Sequence, residues 1–476
     1  MLSAGFKESG SEGLKREKAL VEVCRKHGMR LVGPNCLGLI SSYTPMNASF
    51  APVTPHKGNI AFLSQSGALI TSVLDWSIRE GVGFSHVVSL GNCADLNETD
   101  FIEALSLDPR TKVIAAYIEG VGEGKRFIKV AEESSKRKPI LTIKSGISEA
   151  GAKAVSSHTG SLAGSKMAYK AVFGRTGIIQ AESIEELFDL ARAFSTQPTP
   201  KGRNLAVVTN AGGPGIIATD ACSKHGLNLA WLSPKTINLL RESLPEESSW
   251  VNPIDVLGDA PPDRYRVAMD IALKDEGVNS LLVICSPQAV TKPKEIAEEV
   301  VKAKERVKEK PVVCSFMGGE AVSGAVRLLS EAGVPNYPFP ERAVRALSRL
   351  SKYGEEKLKV KRGFVASYKV DKGGVREVLE RAKRENRVNL LVVEAFQILA
   401  AYGLKIARSI LAQSKAQAVE AARRIGYPVA MKVVSPQIMH KTDVGGVKLN
   451  LNSDEEVEEA FDQEFATPPP TCPRLG

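Results

Sequence analysis

The chain predicts an α/β protein of several domains, built on doubly wound parallel sheets. Three observations carry this. Short apolar runs alternate with helical patterns of about 10–15 residues from residue 58 onwards, the rhythm of βαβ units. Glycine-rich or small-residue turns follow the apolar runs, where strands hand over to helices. A length of 476 residues suits about three or four domains. Hydrophobic content of 43% with 25% charged residues is that of a globular chain, so a disordered chain is excluded.

Residues 14–28 carry a helical apolar pattern that ends at Gly28, placed as a C′ glycine. MRLVGPNCLGLI follows as a strand running into a Gly-Pro-Asn turn. PMNASFAPVTPHKG then reads as a proline-rich linker, with a change of domain near residue 58. In the next domain GNIAFLS, FSHVVSLG, TKVIAAYIEG and KPILTIKSG are strands. The helices between them are QSGALITSVLDWSIREG, DLNETDFIEALSLD and GKRFIKVAEESSKR. Parallel strands send the loops at their carboxyl ends to one rim, where such sheets bind ligands.

TQPTPKG breaks the pattern again. RNLAVVTN is a strand and AGGPGIIATDACSKHG a helix opened by glycines; NSLLVICSPQ, a helix at 293–309, PVVCSFMGG and a helix ending near EAGVP complete a second, smaller α/β domain. Residues 351–390 read as a charged linker with one helix. NLLVVEAFQILAAYGLKI, the helix AQAVEAARRIG and the strand YPVAMKVV open a last domain, and ATPPPTCPRLG is a tail that continues neither helix nor sheet. The abrupt opening and this tail predict incomplete terminal domains.

Composition narrows the function. The net charge of +9 has no concentrated basic tract and no interleaved aromatics, so anionic small molecules fit better than nucleic acid. No apolar run approaches the roughly 20 residues of a spanning helix, and the first residues have no apolar signal core. The seven cysteines form no CxxC pair, which predicts reduced thiols and a cytoplasmic setting.

One stretch organises the functional argument. Residues 151–165, GAKAVSSHTGSLAGS, present His158 among glycines and small polar residues. A surface loop with an idle histidine would read the same way. Two further features favour chemistry. Strand–SQSGALITS and strand–TNAGGPGIIATD are one device used twice: an apolar strand, a small-residue turn, then a helix. A helix N-terminus preceded by such a turn offers free N–H groups and partial positive charge to an anion, although tight packing alone also favours glycine. Glu119, at the end of the strand TKVIAAYIEG, can accept a hydrogen bond from one imidazole nitrogen and leave the other as nucleophile. Lys432, inside an apolar strand, reads either as an edge residue with its head in water or as a phosphate ligand. His440 precedes the glycine-rich turn HKTDVGG.

GPNCLGL, LSQSGAL, SSHTGSLAG, TNAGGPG and HKTDVGG together resemble the NDP-forming acyl-CoA synthetases, over about residues 1–465. The match is nearest to the archaeal ADP-forming acetyl-CoA synthetases in their fused α–β form; succinyl-CoA synthetase is a more distant relative. The resemblance implies flavodoxin-like and Rossmann-like sheets followed by the start of an ATP-grasp domain. It divides the chain into a remnant of a CoA-binding domain (1–57), a domain with the phosphohistidine loop (58–198), a second ligase domain (199–350), a linker (351–390), the first part of ATP-grasp (391–466) and a tail (467–476).

It also implies a reaction. Acetyl-CoA and phosphate give acetyl phosphate, the phosphoryl passes to a histidine, and then to ADP. His158 would be the phosphorylated residue, Glu119 its orienting carboxylate and His440 a relay. Ser64, Gln65, Ser66 and Gly67, with Asn210, Ala211, Gly212, Gly213 and Gly215, would bind phosphate. Asn35 and Cys36 would lie at the CoA site, and Lys432 at the nucleotide. Magnesium is implied for the complete family enzyme, and the partners are small molecules, with a homo-oligomer or a hetero-oligomer supplying the remaining domains. The alternative is a non-catalytic remnant that binds acyl-CoA or phosphate, or one part of a split enzyme.

Overall fold

A computed structural model describes residues 1–44, 46–148, 151, 166–359, 370–435 and 445–466. The chain forms two compact units, 1–361 and 362–476.

The first unit holds two sheets. The larger has seven strands: β1 (Gly38–Ser41), β2 (Met46–Ser49), β3 (Lys57–Ser64), β4 (Phe84–Ser89), β5 (Val113–Ile118), β6 (Ile140–Lys144) and β7 (Ile179–Gln180). Their order is β2-β1-β4-β3-β5-β6-β7. The run β4-β3-β5-β6-β7 is wholly parallel and has the flavodoxin order, with helices returning each strand to the sheet. Along β3, Ile60, Ala61, Phe62, Leu63 and Ser64 are all buried, as a strand covered on both faces requires.

Two expectations at the start of the chain change. No strand precedes the Gly-Pro-Asn turn; it follows at β1, antiparallel to β4. Residues 31–36 instead run along the loop after β4: Asn92 N–H donates to Pro34 O, Ala94 N–H to Gly33 O and Leu96 N–H to Leu31 O. Gly91 makes this approach possible, because a Cβ there would lie 2.3 Å from Pro34 O and its φ is +57°. The expected boundary near residue 57 also falls inside the sheet, since β1 and β2 extend it beyond β4. The first helix, Ser11–Lys26, does end as foreseen. Gly28 has φ 67°, and Met29 N–H donates to Cys24 O, the longer bond of a Schellman motif.

The second sheet comprises β8 (Asn204–Thr209), β9 (Asn228–Leu229), β10 (Ile254–Asp255), β11 (Ser280–Cys285) and β12 (Val312–Phe316), all in parallel pairs, in the order β10-β8-β11-β12 with β9 also on β8. One continuous core joins the two sheets. Phe62, Phe84 and Phe188 from the first side share it with Leu205, Leu282 and Leu347 from the second. Each such side chain contributes about 1.5–3 kcal/mol when fully buried. The helix Pro340–Lys359 packs into this core and runs through residue 350, where a domain was expected to close. Its Arg342 donates two hydrogen bonds, 2.7 and 2.8 Å, to the buried Asp189 carboxylate of the helix Ile184–Thr196.

The second unit holds β13 (Val429–Lys432) and β14 (Val447–Leu451), an antiparallel pair, with the helices Lys372–Arg384, Val392–Ala401, Lys415–Ile425 and Asp454–Ala466. Ala418, Val419, Ala422, Leu451 and Val457 form its small core. Among the described residues no helix is long and apolar enough to cross a membrane.

Candidate active site

The carboxyl ends of β4, β3, β5 and β6 are Ser89, Ser64, Ile118 and Lys144, and because these strands are parallel they open onto one rim. The turn after β3 is built around a hydroxyl. Ser64 Oγ accepts from Ser66 N–H at 3.0 Å and donates to Ser66 O at 2.8 Å. That double bond fixes Ser66 as the N-cap of the helix Gly67–Arg79, where its own hydroxyl accepts from Leu69 N–H. The intervening Gln65 turns sideways. Its Oε1 accepts from the N–H groups of Glu119 and Gly120, and its Nε2 donates to Gly120 O at 2.9 Å. One side-chain amide thus fastens the turn after β3 to the turn after β5.

The turn after β8 repeats the hydroxyl bracket and the amide clip. Thr209 Oγ1 accepts from Ala211 N–H at 3.0 Å and donates to Ala211 O at 2.9 Å. Asn210 takes the place of Gln65: its Oδ1 accepts from Ser286 N–H at 2.8 Å and its Nδ2 donates to Ser286 O at 2.9 Å, just past β11. The helix Gly212–His225 then starts at Ala211 with no side-chain cap. Gly212 and Gly213 are exposed, and a Cβ on Gly213 would meet nothing within 4 Å. The side chains of Gln65 and Asn210 are therefore committed to neighbouring backbone, and what these turns offer an anion is main-chain N–H.

Glu119 sits half-buried past β5 with its N–H held by Gln65. Around it lie groups that the sequence analysis passed over. Glu98, at the start of the helix Glu98–Leu107, is 1% exposed, and burial pushes its carboxyl up to about 6. Gln65 Nε2 lies 3.5 Å from its Oε2 and 3.6 Å from Cys93 Sγ. Burial raises the Cys93 thiol to about 12, so it is no nucleophile at neutral pH. Lys144 ends β6 and is buried. A lysine inside the apolar run PILTIKSG was a visible signal, of the kind that singled out Lys432; the burial of Glu98 had none.

The N-terminal segment brings Asn35 to the same rim. Its Nδ2 lies 3.4 Å from Asn92 Oδ1, its side chain is exposed and its φ is 56°. Cys36 faces inward instead, 4% exposed, with Sγ 3.4 Å from Met1 O and its thiol pKa raised by burial. His158 and His440 lie outside the described residues. Lys432, in the other unit, ends β13 opposite Val447 with its side chain exposed. Among the described residues no group of three or more His, Cys, Asp or Glu is placed to hold a metal ion. A cavity of about 360 Å³ lined by Lys112, Phe194, Lys304, Val307, Lys308 and Lys310 lies at the amino ends of β5 and β12, away from the rim.

Three family models match the chain: a succinyl-CoA ligase like flavodoxin domain over residues 57–194, a Ligase-CoA domain over 205–355 and an ATP-grasp domain over 381–466. The chain is 47% identical over 461 residues to the ADP-forming acetate–CoA ligase I of Archaeoglobus fulgidus, covering 97% of this chain and 66% of that one. It is 43% identical to the α subunit of the ADP-forming acetate–CoA ligase I of Pyrococcus furiosus, over 76% of this chain and 78% of that one. A dinucleotide-forming acetyl-coenzyme A synthetase 1 of Ca. Korarchaeum cryptofilum, solved in complex with phosphate and ADP, superposes with a TM-score of 0.73 at 39% identity. That match covers 77% of this chain and 79% of the other. The chain spans a little under two thirds of the length of the Archaeoglobus enzyme.

Proposed function

The chain belongs to the NDP-forming acyl-CoA synthetases, and we propose that it carries the phosphoryl-transfer chemistry of an ADP-forming acetate–CoA ligase. Phosphate attacks the thioester carbonyl of acetyl-CoA, the C–S bond breaks, and CoA leaves as the thiol. A ring nitrogen of His158 then attacks the phosphorus of acetyl phosphate; the P–O bond to the acyl group breaks and acetate leaves. An oxygen of the ADP β-phosphate finally takes the phosphoryl from the phosphohistidine, giving ATP. Every step is reversible.

The observation that carries this reading is the repeated turn. Two helices of one unit open behind the same hydroxyl bracket and the same amide clip, and each offers a phosphoryl group the N–H groups of its first turn. Ser64, Gln65, Ser66 and Gly67, with Asn210, Ala211, Gly212, Gly213 and Gly215, form these turns, and the helix termini they open, at Gly67 and at Gly212 and Gly213, supply preorganised N–H groups. One such donor is worth about 3–4 kcal/mol in a transition state. Glu119 orients His158, Asn35 and Cys36 lie by the CoA site through their backbone, His440 relays the phosphoryl and Lys432 meets the nucleotide phosphates. Magnesium belongs with the nucleotide in this reading. The α-subunit name of the Pyrococcus relative supports assembly with further domains on another chain. A cytoplasmic setting goes with these substrates.

The test is a half-reaction. Incubation with phosphorus-labelled acetyl phosphate gives acid-labile, base-stable label on the parent chain and none on His158→Ala. Equal labelling of the two removes His158 from the reaction.

A further inference from the structure

The cavity of about 360 Å³ at the amino ends of β5 and β12 has no part in the reaction above. Its volume is at the small end of the roughly 300–1,000 Å³ range of ligand pockets. One wall is the segment 194–198, where the chain passes from the flavodoxin-like domain towards the Ligase-CoA domain. Another is the end of the helix Pro293–Arg306 with residues 307–310 that follow it. Lys112, the residue before β5, completes the lining.

Hydrogen bonds fix these walls. Lys112 N–H donates to Asn59 O at 2.8 Å, and Asn59 Nδ2 donates to Ser195 O at 3.1 Å. Gln197 Oε1 accepts from Val312 N–H and its Nε2 donates to Gly333 O, both at 2.9 Å. The hydroxyls of Ser195 and Thr196 donate to Arg192 O. The amide and the hydroxyls are thus committed to the fold. What the lining offers a ligand is charge, beside an apolar surface from Phe194, Pro198 and Val307.

Four ammonium groups and no carboxylate line the cavity. Lys304 Nζ donates to Ala332 O and Gly333 O at 2.8 and 2.7 Å, and Lys310 Nζ to Leu273 O and Asp275 O at 2.8 and 2.7 Å. These carbonyls take two of the three N–H donors of each lysine and do not cancel its charge. Lys112 and Lys308 are exposed, and among the described residues their ammonium groups have no hydrogen-bond or ion-pair partner. The carboxylates nearby are held elsewhere. Glu309 pairs with Lys201 at 2.7 Å, and Asp275 accepts from Ser233 N–H, Thr236 Oγ1 and Gly277 N–H. Glu305 and Glu276 act on Lys304 and Lys310 through their charge alone. Burial, and then the charge of Lys112, lower the Lys304 pKa against the pull of Glu305. Like charges gathered in a cleft concentrate positive potential, and an ammonium is a point-charge ligand for phosphate.

We propose that this cavity, separate from the rim, is a binding site for a small multivalent oxyanion of the diphosphate class, held by Lys112, Lys304, Lys308 and Lys310. A diphosphate has charged oxygens at both ends, so it can meet the lysine before β5 and those before β12 together. Its source is inorganic pyrophosphate or the phosphate tail of a nucleotide.

The probe is inorganic pyrophosphate, titrated calorimetrically into the full chain at constant ionic strength, with orthophosphate for comparison. The parent binds pyrophosphate about tenfold or more tightly than orthophosphate. Lys112→Met/Lys308→Met removes the two ammonium groups that hold no structure. Its melting temperature and its labelling from acetyl phosphate stay parental, while the Kd for pyrophosphate rises by about tenfold or more. Lys112→Gln/Lys308→Gln is read in the same way should the methionine pair alter the circular dichroism spectrum. Lys112→Arg/Lys308→Arg keeps the charge and binds within a few-fold of the parent. Gly213→Asp, which blocks the rim turn, leaves pyrophosphate binding intact. In that variant, displacement of pyrophosphate by ADP identifies a nucleotide as the source, and failure to displace it an inorganic one. No saturable binding by the parent, equal affinity for the two phosphates, or a parental Kd in the methionine and glutamine pairs would each overturn the site. So would loss of binding in Gly213→Asp, which puts the anion on the rim.

Discussion

The turns after β3 and β8 share a skeleton and differ in what surrounds it. Both use a strand-terminal hydroxyl to hold the N–H and C=O of the residue two positions on, and both use the next side-chain amide to grip the neighbouring strand's exit. The first is then furnished with charge. Glu119, Glu98 and Lys144 cluster beside it, and Ser66 caps its helix. The second is bare: Ala211 provides no side-chain cap, and Gly212 and Gly213 stand open to solvent. The difference divides the labour. The first turn has titrating side chains beside its helix terminus, and the second offers main-chain N–H groups alone.

The largest effect should come from filling the bare turn. Gly213→Asp places a carboxylate in the open space at the first turn of the helix, where no neighbour lies within 4 Å of the new Cβ. Labelling from acetyl phosphate should fall by about 100-fold or more, the scale of losing one oxyanion donor, while the melting temperature stays near the parental value. Unchanged labelling in a folded variant would remove the second turn from the site.

Next in size is the shared skeleton itself. Ser64→Ala and Thr209→Val each leave two backbone groups without their hydroxyl partner, at sites that are fully buried or nearly so. Denaturant titration should show losses of about 1–3 kcal/mol for each, and of similar size. A loss confined to one of them would mean that the brackets are not equivalent.

The smallest effect separates the turns by pH. Glu98 has a folded-state pKa above its unfolded value of 4.5, so the folded protein binds its proton more tightly. Its stabilising contribution is therefore present below pH 4.5 and is lost as pH rises through about 6. Glu98→Gln removes that dependence. Relative to the parent, the variant should gain up to about 2 kcal/mol between acid and neutral pH. A stability difference that does not change with pH would contradict the burial of a titrating carboxyl beside the first turn.

Much of this was legible in the chain and some was not, for physical reasons. Alternating apolar runs located β3 to β6 and β8, β11 and β12, because strands covered on both faces must be apolar throughout. The repeated turn was legible as small residues after a strand. Its working parts were not, because the sequence does not say that Gln65 and Asn210 point sideways into the next strand's exit. β1 was misplaced because MRLVGPNCLGLI holds an apolar run on both sides of the turn, and only the close approach at Gly91 decides which side enters the sheet. Lys144 could have been noticed as a charge in an apolar strand. Glu98 could not, since a glutamate in the first turn of a helix is ordinarily solvated.

The division of labour can be read most directly from backbone amide chemical shifts. Deuterated, nitrogen-labelled protein is titrated with acetyl phosphate, with His158→Ala as the reference. The account predicts that Gly67 and Ala68 of the first turn and Gly212 and Gly213 of the second shift together, in proportion to phosphohistidine formed, and that none shifts in His158→Ala. Movement of the first pair alone, with Gly212 and Gly213 unchanged at full labelling, would contradict it.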